Sequence, residues 1–241
     1  MNILVCDDDK EIVEAISIYL EQEGYHVLKA YDGQEALDIM YSYTSCQGEP
    51  ELHLLILDIM MPRLDGIHAM MKLRQKYSIP VILLSAKSED TDKILGLNAG
   101  ADDYITKPFN PLELIARVKS QLRRYTQLGA ISKNQNEQKE ESHILTLGTI
   151  SMNKERREVT VDGELVKLTP TEYRILQLLM ENPGIVFSST QIYEKVWEDS
   201  FVTDNTIAVH IRRIREKIEI NPKEPRYLKV MWGIGYFLEK Q

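Results

Sequence analysis

Three short apolar runs in this chain each lead into charge. Ile3-Leu4-Val5-Cys6 precedes Asp7-Asp8-Asp9, Leu54-Leu55-Ile56-Leu57 precedes Asp58, and Tyr104-Ile105 nearly adjoins Lys107-Pro108. If these runs are parallel strands of a doubly wound α/β sheet, their carboxyl ends border one crevice, where such sheets bind ligands. Three carboxylates and one ammonium would then share a pocket. That donor set suits a hard divalent cation and an aspartyl phosphate, not a sugar or a peptide.

The spacing between the runs supports such a sheet. Ile12, Val13, Ile16, Tyr19 and Leu20 recur at helical intervals and stop near Gly24. His26 to Ala30 reads as a second strand, followed by a helix from about Asp32 carrying Ala36, Leu37 and Met40. The third strand ends at Asp58, and a helix follows Gly66. Pro80 opens a fourth strand, Val81 to Leu84, which ends at Ser85-Ala86. A helix with Ile94 and Leu97, a short fifth strand before Lys107, and a helix from about Pro111 complete the alternation. This order predicts a flavodoxin-like, five-stranded parallel sheet with helices on both faces.

A polar stretch almost free of large apolar groups then reads as a flexible linker over residues 125–142. Beyond it the pattern changes to an α+β domain. Short antiparallel strands are expected between Leu147 and Leu168, turning at Asp162-Gly163. Thr169-Pro170-Thr171-Glu172 is a capping box with proline at the first helical position, and that helix stops at Asn182-Pro183-Gly184. A second helix follows Ser188 and ends around Trp197, and a third runs from about Thr203 to Ile218. Tyr227 to Val230 and Tyr236 to Leu238 close the chain as a strand pair around Gly233 and Gly235. The domains expected are therefore 1–124 and 143–241.

Charge divides along the same line. Residues 1–124 hold 13 basic against 20 acidic side chains, whereas residues 143–241 hold 14 of each. An acidic first half can concentrate Mg²⁺; a neutral second half must bind nucleic acid, if at all, through a local cluster. There are two cysteines, Cys6 and Cys46, and Cys6 falls in a predicted buried strand. That placement suits a reduced thiol in a cytoplasmic protein. No run approaches a membrane span and the N-terminus has no signal-peptide pattern, so no membrane partner is expected.

The pocket chemistry can be assigned by residue. Mg²⁺ takes oxygen ligands and keeps several waters. Asp7 and Asp8 would hold it, and Asp58 would serve as both ligand and nucleophile. Lys107 would pair with one phosphoryl oxygen and the Ser85 hydroxyl would bond another. Phosphoryl transfer demands mainly positioning and charge neutralisation, which these groups supply. A single strand-end aspartate is an ordinary loop residue. Five such groups at successive strand ends are not.

ILVCDDD, LLILDIMMPRLDG, PVILLSA and GADDYITKPF resemble the receiver domain of bacterial response regulators over about half the chain. LTPTEYRILQLLMENPG, VFSSTQIYEKVW, DNTIAVHIRRIREKI and LKVMWGIGYFL resemble the winged-helix effector domain of the OmpR/PhoB family. Within that family ADDYITKPF, AVHIRRIREK and VMWGIGY are similar to regulators of the VanR type, which control glycopeptide-resistance genes. The resemblance implies that a sensor histidine kinase phosphorylates Asp58 and that the Met60 backbone carbonyl completes the protein ligands to Mg²⁺. It makes Ser85 and Tyr104 the switch pair, with Tyr104 turning inward as Ser85 moves toward the phosphoryl group. The segment Tyr43 to Glu51 is longer than receivers usually carry before the third strand.

The same resemblance implies a homodimer on phosphorylation, pairing Lys93 with Glu113, Asp103 with Arg117 and Asp102 with Arg124 across two chains. It makes Thr203–Ile218 the helix that reads double-stranded DNA, with the terminal hairpin as its wing. On that helix Ile207, Ile211, Ile214 and Ile218 form a stripe to bury. Asn205, Thr206, Val209, His210, Arg212, Arg213 and Lys217 are expected opposite it. Arg212, Arg213 and His210 would contact phosphates and base edges, and Thr206 and Val209 would face the groove floor. Trp232 sits at the wing tip, where some relatives place an arginine and where apolar packing or backbone contact is expected instead; Arg226 and Lys229 could reach phosphates. RNA polymerase is a further partner that the resemblance admits.

Two other readings stand beside this one. Asp7-Asp8-Asp9 contains the Asp-x-Asp of haloacid-dehalogenase-type phosphohydrolases, but Glu11 stands where that family has Thr or Val, and Asp102-Asp103 precede Lys107 instead of following it. The other is a phosphorylation-independent DNA-binding regulator with a vestigial receiver, against which the complete pocket argues. The reading adopted is a two-component transcription factor and not an enzyme, whose half-sites are expected as direct repeats. Met60, two residues past Asp58, borders the path of a hydrolytic water that an apolar thioether cannot orient. Slow self-dephosphorylation is therefore expected, and a phospho-Asp58 that decays within seconds would contradict it.

Overall fold

The computed structural model describes residues 1–43, 52–86, 99–130, 143–197 and 206–240. The chain divides into two compact units, Met1–Tyr125 and Thr126–Gln241. The expected helix carrying Ile94 and Leu97, the segment before the third strand beyond Tyr43, and Cys46 lie outside the described residues.

The first unit is a five-stranded parallel sheet in the order β2-β1-β3-β4-β5. Its strands are β1 (Asn2–Cys6), β2 (His26–Ala30), β3 (Leu54–Asp58), β4 (Val81–Ala86) and β5 (Asp103–Lys107). Every residue of β3 is buried, as expected for a central strand covered on both faces. Alternate residues Ile3, Val5, Leu54, Ile56, Ile82 and Leu84 pack with α1 (Lys10–Gln22) and with Leu114, Val118 and Leu122 of α4 (Pro111–Ala130). On the remaining helices, α2 (Gly33–Ser42) buries Ala36, Leu37 and Met40, and α3 (Gly66–Arg74) buries Ala69, Met70 and Leu73.

Aspartates start three of these helices. Asp9, Asp32 and Asp65 accept backbone N–H bonds at the N-caps of α1, α2 and α3. Asp9 therefore leaves the acidic triplet for a structural task. On α1 the buried stripe is Val13, Ile16, Ser17 and Leu20, while Tyr19 is exposed.

α4 runs to Ala130, so residues 125–130 are helical where a flexible linker was expected. Thr126, Gln127, Leu128 and Ala130 include no proline, and one glycine does not stop an established helix. Residues 131–142 lie outside the described residues.

The second unit opens with a four-stranded antiparallel sheet, β6 (Ile144–Leu147), β7 (Ile150–Asn153), β8 (Glu158–Val161) and β9 (Glu164–Val166). Asp162 and Gly163 both take positive φ, 52° and 85°, as a tight hairpin demands. Three helices follow: α5 (Pro170–Glu181), α6 (Ser189–Trp197) and α7 (Thr206–Ile218). Ile207, Ile211, Ile214 and Ile218 enter one core with Ile175, Leu176, Leu179, Ile192 and Trp197. The closing hairpin pairs β10 (Leu228–Met231) with β11 (Gly235–Leu238).

One glycine ties the first sheet to its pocket. A Cβ on Gly66 would lie 2.0 Å from the Asp58 carbonyl oxygen, so the chain after β3 can fold back over the strand end only without a side chain there. Gly66→Ala is expected to cost about 1–3 kcal/mol of stability through this overpacking. Chemical denaturation reads it, and a wild-type midpoint would contradict the close approach.

Candidate functional site

Strand register builds the pocket. Cys6 of β1 is level with Leu57 of β3, so Asp7 and Asp58, the next residue on each chain segment, meet side by side. Both are buried, Asp8 is exposed, and one carboxylate oxygen from each of the three lies within 4.8 Å of the others. Lys107 comes from the end of β5, level with Ala86 of β4. Its Nζ lies 2.6 Å from Asp7 Oδ2 and 2.8 Å from Asp58 Oδ1. The backbone N–H of Met60 donates to Asp58 Oδ2 at 3.2 Å, and that of Asp9 donates to Asp7 Oδ1 at 3.1 Å. Ser85 is buried, and its Oγ has no hydrogen-bond partner among the described residues. Tyr104 is half-buried on β5, and the Met60 side chain is exposed.

The charges do not balance. Burial pushes the Asp58 carboxyl above the usual carboxylate range; Lys107 pulls it down, but Asp7 and Asp8 add to the rise. Burial disfavours the Lys107 ammonium, yet Asp58 and Asp7 outweigh it and hold the lysine above its ordinary value. One ammonium thus pairs with two of the three carboxylates, and the pocket is short of positive charge. An all-oxygen donor set with that deficit fits a hard divalent cation. Cys6, directly behind the site, is a free buried thiol raised chiefly by burial, and its Sγ–H donates to the Asp32 carbonyl at 3.3 Å.

The face expected to pair two chains is different in structure. Asp102 is fully buried, and its Oδ2 accepts from Arg74 Nη2 at 2.9 Å and from the Val81 N–H at 3.0 Å. It anchors the start of β5 inside its own unit. Arg124 is itself buried. Arg117 lies 2.8 Å from Asp103 and 2.9 Å from Glu113 of the same chain, so a pairing expected between chains is made within one. β5 and the first turns of α4 stand close enough for this short local connection. Lys93 lies outside the described residues.

The burial of α7, the helix expected to read DNA, also differs from expectation. Of the residues expected opposite its apolar stripe, Arg212 is exposed and Lys217 half-buried, whereas Thr206, Val209, His210 and Arg213 are buried. At 100° per residue His210 and Lys217 lie beside the stripe and not opposite it. The His210 ring rests 5.6 Å from the ring of Trp197 on α6, and Arg213 and Lys217 approach Glu172 of α5. Asn205 lies outside the described residues. On the terminal hairpin, Trp232 is 87 % exposed between Met231 and Gly233 at the turn. Arg226 is exposed over the Tyr227 ring, and Lys229 pairs loosely with Glu239 at 3.6 Å. Sequence reasoning missed Arg74 and the second task of Glu172. The capping-box pattern identified Glu172 only as a helix start, and its ion pairs span 41 and 45 residues of sequence.

Comparison with known proteins agrees with both halves. Residues 3–119 match the response regulator receiver domain, and residues 163–238 match the C-terminal domain of transcriptional regulatory proteins. The chain is 43 % identical to the regulatory protein VanR of Enterococcus faecium, covering 99 % of this chain and 98 % of that one. It is 41 % identical to the response regulator GtcR of Aneurinibacillus migulanus, covering 97 % and 93 %. A solved structure of a RitR mutant superposes over 100 % of this chain and 99 % of its own with a TM-score of 0.74 at 23 % identity, a likeness of fold.

Asp58 has a raised pKa, so its protonated form stabilises the fold at low pH and that contribution is lost as pH rises through the raised value. At neutral pH without divalent cation the ionised carboxylate is a net burden. Asp58→Asn is therefore expected to raise the melting temperature at neutral pH in EDTA, by an amount that shrinks in acid and in millimolar Mg²⁺. A lower melting temperature in EDTA would contradict the charge deficit.

Proposed function

The chain belongs to the two-component response regulators that join a receiver to a DNA-binding transcriptional domain, and on that premise we propose that Asp58 is its phosphoacceptor. The observation that carries this is the Lys107 ammonium between Asp7 and Asp58, 2.6 Å and 2.8 Å away. An Asp58 oxygen attacks the phosphorus of a phosphohistidine on a sensor kinase, the phosphorus–nitrogen bond breaks, and the histidine leaves. Lys107 follows the transferred charge and pairs with a phosphoryl oxygen. Asp7, Asp8, Asp58 and the Met60 carbonyl would hold Mg²⁺, which neutralises phosphoryl charge when bound.

Ser85 supplies the switch. Its buried hydroxyl has no partner among the described residues, and a phosphoryl oxygen on Asp58 gives it one. As Ser85 moves, Tyr104 turns into the space behind it. The change biases a dimer made through β5 and α4, and exchange of the Asp103–Arg117 and Glu113–Arg117 pairs between chains offers a route that keeps every charge matched. The winged-helix unit then binds double-stranded DNA through α7, with Arg212 as its exposed cation and Trp232 at the wing. RNA polymerase is the further partner of such a regulator, and the cytoplasm its compartment. Among the described residues no helix is long and apolar enough to cross a membrane.

Sedimentation with Mg²⁺, with and without acetyl phosphate, tests the reading. A monomer-to-dimer shift is expected in phosphorylated wild type and not in Asp58→Ala. An absent shift with unaltered DNA binding would favour a vestigial receiver.

A further inference from the structure

Glu172 is a fully buried carboxylate with more partners than a helix cap needs. Its Oε2 accepts from the Thr169 N–H at 2.9 Å, closing the capping box at the start of α5. The same oxygen accepts from Lys217 Nζ at 2.6 Å. Arg213 Nη1 lies 3.1 Å from Oε1 without hydrogen-bond alignment, a charge contact and not a directed bond. Burial works to raise this carboxyl, but Arg213 and Lys217 outweigh it and hold it below the usual range. Arg213 and Lys217 are four residues apart on one side of α7, so a carboxylate between them resists rotation of that helix about its axis.

The four cations of α7 are therefore unequal, and Arg215 is half-buried with its Nε donating to the Leu228 carbonyl at 2.9 Å. The side chains of Arg213 and Lys217 are 10 % and 28 % exposed, whereas that of Arg212 is 67 % exposed and held only by a surface pair with Glu216 at 2.9 Å. A surface pair exchanges for a phosphate at little cost. Drawing Arg213 away from Glu172 strips a buried charge of a partner, which is costly.

We propose that Glu172 is a positioning residue for DNA recognition: its carboxylate holds Arg213 and Lys217 on the inner side of α7, fixes the roll of that helix, and leaves Arg212 as the α7 cation that meets phosphates. This rests on the reading of α7 as the DNA-facing helix. It also means that α7 neutralises fewer phosphates than its basic residues suggest.

The test is the salt dependence of binding to a mixed-sequence DNA duplex by the full chain, treated with acetyl phosphate and Mg²⁺. Each phosphate neutralised adds about 0.9 to the slope of log K against log salt. Arg212→Gln is expected to flatten the slope by about one. Arg213→Gln is expected to flatten it by clearly less. Glu172→Gln keeps an acceptor for the capping box but releases two cations, so a slope steeper by about one or two is expected, with tighter binding at low salt. A merely structural role would weaken binding instead. The proposal is overturned if natively melting Glu172→Gln keeps or flattens the slope, or if Arg213→Gln flattens it as much as Arg212→Gln. Should Glu172→Gln fail to fold, the two arginine variants decide. An Arg212→Gln slope equal to wild type would remove α7 from the DNA, overturning that reading and the proposal together.

Discussion

The contact on which the rest of the receiver unit turns is one ammonium shared between two buried carboxylates. Lys107 can reach Asp7 and Asp58 because β1 and β3 are neighbours and β4 carries β5 to the same rim. β1, β3 and β4 are wholly or mostly buried, so a slip of one residue would turn their core side chains to the opposite face. The hydrophobic register of the sheet and the position of the charges are thus one constraint. The pocket is left with more negative than positive charge, an imbalance that suits a cation.

The second unit uses a buried carboxylate differently. Glu172 is matched in charge, by a helix N-terminus and two cations. Asp58 sits among more carboxylates than cations, whereas Glu172 faces two cations. The physical difference is the count of positive partners within reach. An under-neutralised site is poised to react, and a neutralised one fixes geometry.

Much of the architecture was legible in the chain because its signals are local. Asp32, Asp65 and Thr169 mark helix starts through side-chain acceptors two or three residues from the N–H groups they serve. The strand ends at Asp58 and Lys107 follow from short apolar runs and their flanking breakers. The linker was misjudged at its start because polar residues permit a helix as readily as they permit a coil once α4 is under way.

The sequence by itself determined the order of strands and helices, the helix starts, and the set of groups that belong in the pocket, since each depends on residues a few positions apart. Only the tertiary structure decided the partners of charges. Asp102 turned inward to Arg74, Arg117 bonded within its own chain, and Arg213 and Lys217 closed on Glu172. A charged residue reads the same in sequence whether water, a neighbouring helix or another molecule compensates it. The choice is made by desolvation and distance, and both exist only after the chain has folded.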